Sequence, residues 1–127
     1  MNIAPQNVEN LLKADPFISQ VMVYGDRRPY PVALITVNPE ELQKFARDQG
    51  ILATDAAVIV KHPKIVERIG RTVEEKNTQL QSYAKIKKFK VLPADFTLDG
   101  GELTPTLKVK RKVVAQKYMD AIEELYR

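Results

Sequence analysis

The sequence predicts an α+β domain, a small sheet (a hairpin plus a three-stranded region) packed with helices. Three observations lead there. Two β-rich runs, Ser19 to Tyr24 (SQVMVY) and Val32 to Val37 (VALITV), flank a charged loop holding Gly25, Asp26 and Pro29. Apolar stripes of helical period occur before, between and after the strand-like runs. The length of 127 residues suits one domain with its own core.

The elements follow in order. Pro5 opens a helical pattern at Val8, Leu11 and Leu12; proline is favourable at a first helical position because its missing N–H has no partner to lose there. The two β-rich runs read as a hairpin, and their continuous apolar character predicts that at least one is covered on both faces. Asn38-Pro39-Glu40-Glu41 is a helix start, with Leu42, Phe45 and Ala46 as the buried stripe and Gly50 as the stop. Residues 51–60 predict a short helix from about Asp55. His62-Pro63 opens a long amphipathic helix to about Leu80, with Ile65, Ile69 and Val73 inward. Ile86 to Leu92 alternates Lys with apolar residues, as a strand with one wet face does. Phe96-Thr97-Leu98 and Glu102-Leu103-Thr104 flank Asp99-Gly100-Gly101, which predicts a second, tight hairpin. A last helix is expected from about Lys110 to Tyr126, with Val114, Tyr118, Ala121 and Leu125 on one face.

Composition narrows the chemistry. There are no cysteines, which excludes disulfides, thiolate zinc sites and thiol nucleophiles. A single histidine, His62, removes multi-histidine metal sites and most His-based triads. Lys and Arg total 20 against 16 Asp and Glu, a net charge of +4 that permits an anionic ligand without demanding one. No apolar run approaches the roughly 20 residues of a membrane span, and the start lacks the basic and apolar regions of a signal peptide. A soluble, intracellular domain is the expectation.

The densest basic cluster is Leu107-Lys108-Val109-Lys110-Arg111-Lys112, running into a helix start. Cations there oppose the helix dipole, so a purely structural reading leaves a local cost unexplained. It is either an anion-binding loop or a solvated helix start. Lys85, Lys87, Lys88 and Lys90 form a second cluster, simplest as a wet strand face. Asp26-Arg27-Arg28 reads as a charged turn, and His62 as a helix cap. No Walker A, HExxH or GxSxG pattern occurs. The tyrosines are scattered rather than interleaved with arginine as in a nucleic-acid stacking platform. An autonomous basic domain that binds RNA or another polyanion remains the alternative reading.

The two ends together resemble a known family. Asn2-Ile3-Ala4-Pro5-Gln6-Asn7-Val8-Glu9-Asn10 resembles the tail of the hinge-region motif of AMP-forming acyl-CoA synthetases, where Gly-Gly-Lys-Asn-Ile-x-Pro-x-x-Ile-Glu opens a small C-terminal domain. Glu102-Leu103-Thr104-Pro105-Thr106-Leu107-Lys108-Val109-Lys110-Arg111-Lys112 resembles that family's final motif in its long-chain fatty-acid form. Val21 to Gly25, Arg28-Pro29-Tyr30, Ala33 to Ile35, Asn77 and Ile86 to Phe89 also fit. The large N-terminal domain, with its ATP-contacting motifs and fatty-acid tunnel, is not in this sequence. The chain is therefore expected to be a single C-terminal lid domain over 1–127, inactive alone.

The resemblance implies a long-chain fatty-acid–CoA ligase that joins ATP, fatty acid and CoA in two steps, adenylation and then thioester formation. ATP and CoA are the implied co-substrates and Mg2+ the implied metal, with none held by this chain itself. The missing N-terminal domain is the implied partner, nucleic acid is not, and the implied location is cytoplasmic with room for peripheral membrane association. Lys108 aligns with the adenylation lysine of the final motif. Lys110 is its rival, expected to point to the opposite side. Asn2 and Ile3 fall in the hinge-region tail near the CoA channel, and Arg28 and Lys88 are the candidates for CoA phosphates.

Overall fold

A computed structural model describes residues 4–127. Its elements are α1 (Pro5–Lys13), β1 (Ile18–Tyr24), β2 (Val32–Val37), α2 (Pro39–Asp48), α3 (Ala56–Ile59), α4 (Pro63–Asn77), a 3-10 turn (Ser82–Ala84), β3 (Lys88–Val91), α5 (Arg111–Lys117) and α6 (Met119–Leu125). The strands form one sheet in the order β1-β2-β3. β1 and β2 are antiparallel, with Val21 opposite Ile35 and Met22 opposite Leu34. β3 joins β2 in parallel, Ala33 opposite Phe89.

Alternation along the strands builds two cores. Val21, Val23, Ala33 and Ile35 face one way and pack with Val8 and Leu12 of α1, Leu42 and Ala46 of α2, and Ile65, Ile69 and Val73 of α4. Met22 and Leu34 face the other way, against Leu92, Phe96, Leu103, Val114 and Ile122. β2 is buried at every position, so the expected two-sided cover falls on this strand.

The helix starts are built as their residues predict. Asn38 Oδ1 accepts from the amides of Glu40 and Glu41 at 3.0 and 3.2 Å. Asp55 accepts from Ala57, and His62 Nδ1 accepts from the Lys64 amide at 3.1 Å, so His62 is a cap. α4 ends at Asn77, three residues early, where the backbone tightens into i→i−3 turns through Leu80 and the Asn77 side chain bonds both the amide and the carbonyl of Ile86 at 2.9 Å.

Two expectations are corrected. The Asp99-Gly100-Gly101 turn forms, but its flanks are not strands. The Glu102 and Leu103 amides both donate to the Thr97 carbonyl, and the side chains of Thr97 and Glu102 brace the turn, accepting from the amides of Gly100 and Thr97 at 2.8 and 2.9 Å. A Cβ on Gly100 would lie 2.6 Å from Glu102 Oε1, so the side chains that brace the turn need glycine there. The strand-like pairing shifts later in the chain, to Leu103 opposite Val109. The C-terminal helix is also not continuous. It opens at Tyr118 (φ −113, ψ 24) into α5 and α6, although Tyr118 N–H to Val114 and Ile122 N–H to Tyr118 are both kept at 3.0 Å. Tyr118 leans on Phe96, ring centroids 6.3 Å apart.

Polar anchors tie these layers together. Asp15, just past α1, receives a forked pair of bonds from Arg68 of α4 at 2.7 and 3.1 Å and others from Thr72 and the Phe17 amide. Burial alone would push its carboxyl up; the donors from Arg68, Thr72 and Phe17 outweigh it and hold the pKa at about 2. A depressed carboxyl adds stability above its ordinary pKa and loses it as pH falls through the folded value. Asp15→Asn is therefore expected to lower stability near neutrality by on the order of 1–2 kcal/mol. It should also flatten the stability loss between about pH 4 and 2, read from urea unfolding at a series of pH values; an unchanged acid limb would refute this assignment.

Candidate functional site

The most probing cation of the sequence, Lys108, sits on a hairpin built from residues 102–110. Its rungs are Thr104 N–H to the Lys108 carbonyl at 2.8 Å and Lys110 N–H to the Glu102 carbonyl at 2.7 Å. Between them Thr104 Oγ1 accepts from the Lys108 amide at 3.0 Å. Pro105, Thr106 and Leu107 make the tip, and Leu107 takes a left-handed φ of 63°. Such a conformation costs a non-glycine residue roughly 1–2 kcal/mol.

The hairpin is fastened at its base and at its exit. At the base, Glu102 is 4% exposed and paired with Lys117 of α5. Burial pushes its carboxyl up, but the Lys117 ammonium and the Thr97 amide hold it below the usual range. At the exit, the half-exposed Arg111 grips the buried Glu9 of α1 at 2.6 and 2.9 Å. That pair removes the part of the cost due to Arg111 at this helix start, because its charge is matched by Glu9. Lys108 and Lys110 are exposed, and Val109 between them packs toward the second core. The expectation that the two lysines point apart is thus corrected: residues two apart in an extended segment share a side. Among the described residues, Lys108 has no side-chain hydrogen bond or ion pair. An open cleft of about 200 Å³ runs beside it, lined by Gln6, Glu9, Lys13, Gln20 and Arg111 among others.

The remaining expected residues lie elsewhere. Arg28 and Lys88 stand at the far end of the C-terminal helices from Lys108. The Arg28 guanidinium grips Glu123 and lies 4.6 Å from the Tyr126 ring centroid. The Glu123 carboxylate accordingly holds the Arg28 pKa above its usual range. Tyr126, whose hydroxyl is shared between the carbonyls of Tyr30 and Tyr24 at 2.8 and 3.1 Å, is pushed up to about 12, first by burial. Arg28 is therefore already occupied in holding α6 to the β1–β2 loop. Lys88 is exposed, its Nζ 3.3 Å from the Arg127 carbonyl. Asn2 and Ile3 lie outside the described residues. Glu9 is the functional-site residue that the sequence reading passed over. Its signal was present: positions 5, 8, 9 and 12 form one helical face, and an acid among Val8 and Leu12 on such a face needs a buried partner.

Comparison with known proteins gives this geometry its context. Residues 1–127 match the family model described as the AMP-binding enzyme C-terminal domain. The chain belongs to that family. It is 41% identical over 126 residues to the long-chain-fatty-acid–CoA ligase FadD15 of Mycobacterium tuberculosis, covering 98% of this chain and 21% of that protein. It is 37% identical to the ligase ACSBG2 of Gallus gallus, over 98% of this chain and 19% of that protein. The AMP-binding enzyme C-terminal domain thus spans about a fifth of the length of the curated relatives it matches. Among solved structures, the adenylation domain of a carboxylate reductase from Mycobacterium chelonae matches in fold with TM-score 0.75 at 24% identity, over 98% of this chain and 18% of that one. The didomain of a carboxylic acid reductase from Segniliparus rugosus, solved with AMP, matches with TM-score 0.72 at 25% identity, over 98% and 16%. None of these relatives supports the polyanion-binding alternative. Among the described residues no helix is long and apolar enough to cross a membrane.

The strain at Leu107 makes a test of the hairpin itself. Leu107 is 59% exposed, so glycine there loses little burial while relieving the left-handed strain. Leu107→Gly is expected to be neutral or stabilising by up to about 1 kcal/mol, and Leu107→Val to destabilise by about 1 kcal/mol or more. Urea unfolding of the two variants checks this, and the reverse order would refute the assigned tip conformation.

Proposed function

We propose that this AMP-binding enzyme C-terminal domain is the lid of an AMP-forming long-chain fatty-acid–CoA ligase, and that Lys108 is its adenylation lysine. The observation that carries the reading is an exposed Lys108, unpaired among the described residues, on a doubly fastened hairpin, in a chain 41% identical to part of a long-chain ligase. The large domain that binds ATP and the acyl chain is the proposed partner.

The chemistry follows from charge. In adenylation a fatty-acid carboxylate attacks the α-phosphate of ATP and pyrophosphate leaves. Two anions must approach, and negative charge builds on the phosphate oxygens. An ammonium held between the carboxylate and the α-phosphate offsets the repulsion and stabilises that charge. The lid also excludes water, which would otherwise hydrolyse the acyl-adenylate before the CoA thiol displaces AMP. Rotation of the lid between the two steps is rigid-body closure about a hinge. For CoA, the exposed Lys88, which carries no ion pair among the described residues, is the candidate to meet a phosphate, whereas Arg28 contributes by holding α6 in place. Mg2+ would serve with ATP in the complete enzyme. A cytoplasmic location, with access to membrane-derived fatty acids, suits such a ligase.

The test uses the complete polypeptide that carries this chain, with Lys108→Ala. Pyrophosphate release from ATP and palmitate should fall by on the order of 10²–10³. Thioester formation from preformed palmitoyl-adenylate and CoA should be unchanged. Survival of both half-reactions would overturn the assignment to Lys108 and turn attention to Lys110. Absence of both in the unmutated polypeptide would overturn the ligase reading.

A further inference from the structure

A cation that bridges two anions works only if its position is fixed to a fraction of an ångström. Lys108 itself is on a turn, exposed and unpartnered among the described residues. What fixes its carrier lies three residues on. Arg111 Nη1 and Nη2 reach Oε2 and Oε1 of Glu9 at 2.6 and 2.9 Å, a planar two-bond fork. Glu9 is 6% exposed and also accepts from the Val23 amide at 2.7 Å. Arg111 Nη1 in turn donates to the Val23 carbonyl at 3.1 Å. β1 is an edge strand, so these two bonds occupy the outward N–H and C=O that β2 does not use. One ion pair thereby joins the hairpin exit, helix α1 and the sheet edge.

An apolar contact would hold α5 against α1 equally well, since buried ion pairs add little net stability over a well-packed apolar replacement. What a forked pair adds is direction: it fixes the plane and rotation of the groups that make it. We propose that the Glu9–Arg111 pair is a positioning device for Lys108, locking the lysine hairpin to α1 so that the lid delivers the ammonium at a set place when it closes. The proposal rests on the ligase reading above and names two residues, Glu9 and Arg111, that act through Lys108 without touching substrate.

The test compares Arg111→Lys, which keeps the charge and loses the fork, with Glu9→Gln, which keeps the shape. In the complete polypeptide each should lower the adenylation kcat about tenfold or more while leaving thioester formation from preformed palmitoyl-adenylate unchanged. In a Lys108→Ala background neither should cause a further loss, because the pair acts only through that lysine. Losses that multiply with Lys108→Ala, or a parallel fall of both half-reactions with thermal stability, would overturn the proposal. If Lys108→Ala leaves adenylation intact, the lysine assignment fails, and the pair is then judged on the 127-residue chain by nuclear magnetic resonance. There, Arg111→Lys should shift the amide signals of residues 104–110 while those of α2 and α4 stay in place; unmoved signals at 104–110 would overturn the positioning role.

Discussion

The fold depends on burying β2 from both sides. Every residue from Val32 to Val37 is buried, and Val32 to Thr36 are fully so. A strand in this condition must have neighbours on both edges and helices on both faces. β1 and β3 supply the edges. α1, α2 and α4 cover one face, and α5, α6 and the 92–103 segment cover the other. The three-layer arrangement follows from that single requirement, and so does the placement of the Lys108 hairpin, which crosses from the covering segment of the second face to the exposed edge of β1.

Polar groups are drawn into this arrangement only where each finds partners. Thr36, fully buried, donates a hydrogen bond from its hydroxyl to Asp95 at 2.7 Å and accepts from the Gln20 amide at 2.9 Å. That side-chain bond sits at the irregularity between Ile18 and Gln20, where the β1–β2 register shifts. Asp15, Glu9 and Glu102 are satisfied in the same way by Arg68, Arg111 and Lys117. The Asp15 and Glu9 pairs join elements 53 and 102 residues apart, so they resist sliding of the helical layers where apolar contacts alone do not specify register.

Much of this was legible in the residues, for local reasons. Caps, proline at first helical turns, and the β-rich runs around Gly25 and Pro29 act within a few residues, and the elements they announce are present. The parallel docking of β3 was not legible, because it is decided by what α2 to α4 bury rather than by the strand's own pattern. The misplaced second hairpin is instructive. Asp99-Gly100-Gly101 is the stronger local turn signal, yet the paired segment forms around Pro105 to Leu107, where a leucine takes a left-handed φ. Packing of Leu103 and Val109 into the second core overrides local turn preference. Arg111 looked like one more cation of a basic run; its partner Glu9 lies 102 residues away, beyond any local pattern.

The contrast between Lys108 and its neighbours is where fold and function meet. A lysine that must act on a ligand has to stay unpaired in the protein that carries it, since an internal carboxylate would compete for it. Such a residue gains no rigidity from contacts of its own. The hairpin resolves this by placing the constraint on other residues: Glu102 takes Lys117 at one side, Glu9 takes Arg111 at the other, and Val109 anchors the strand between the two exposed lysines. The unpaired charge is thus held in place by charges that are paired, each through a buried carboxylate. On the proposed reading, a lid built this way would arrive with its lysine already oriented, and closure would not have to order the loop at the moment of reaction.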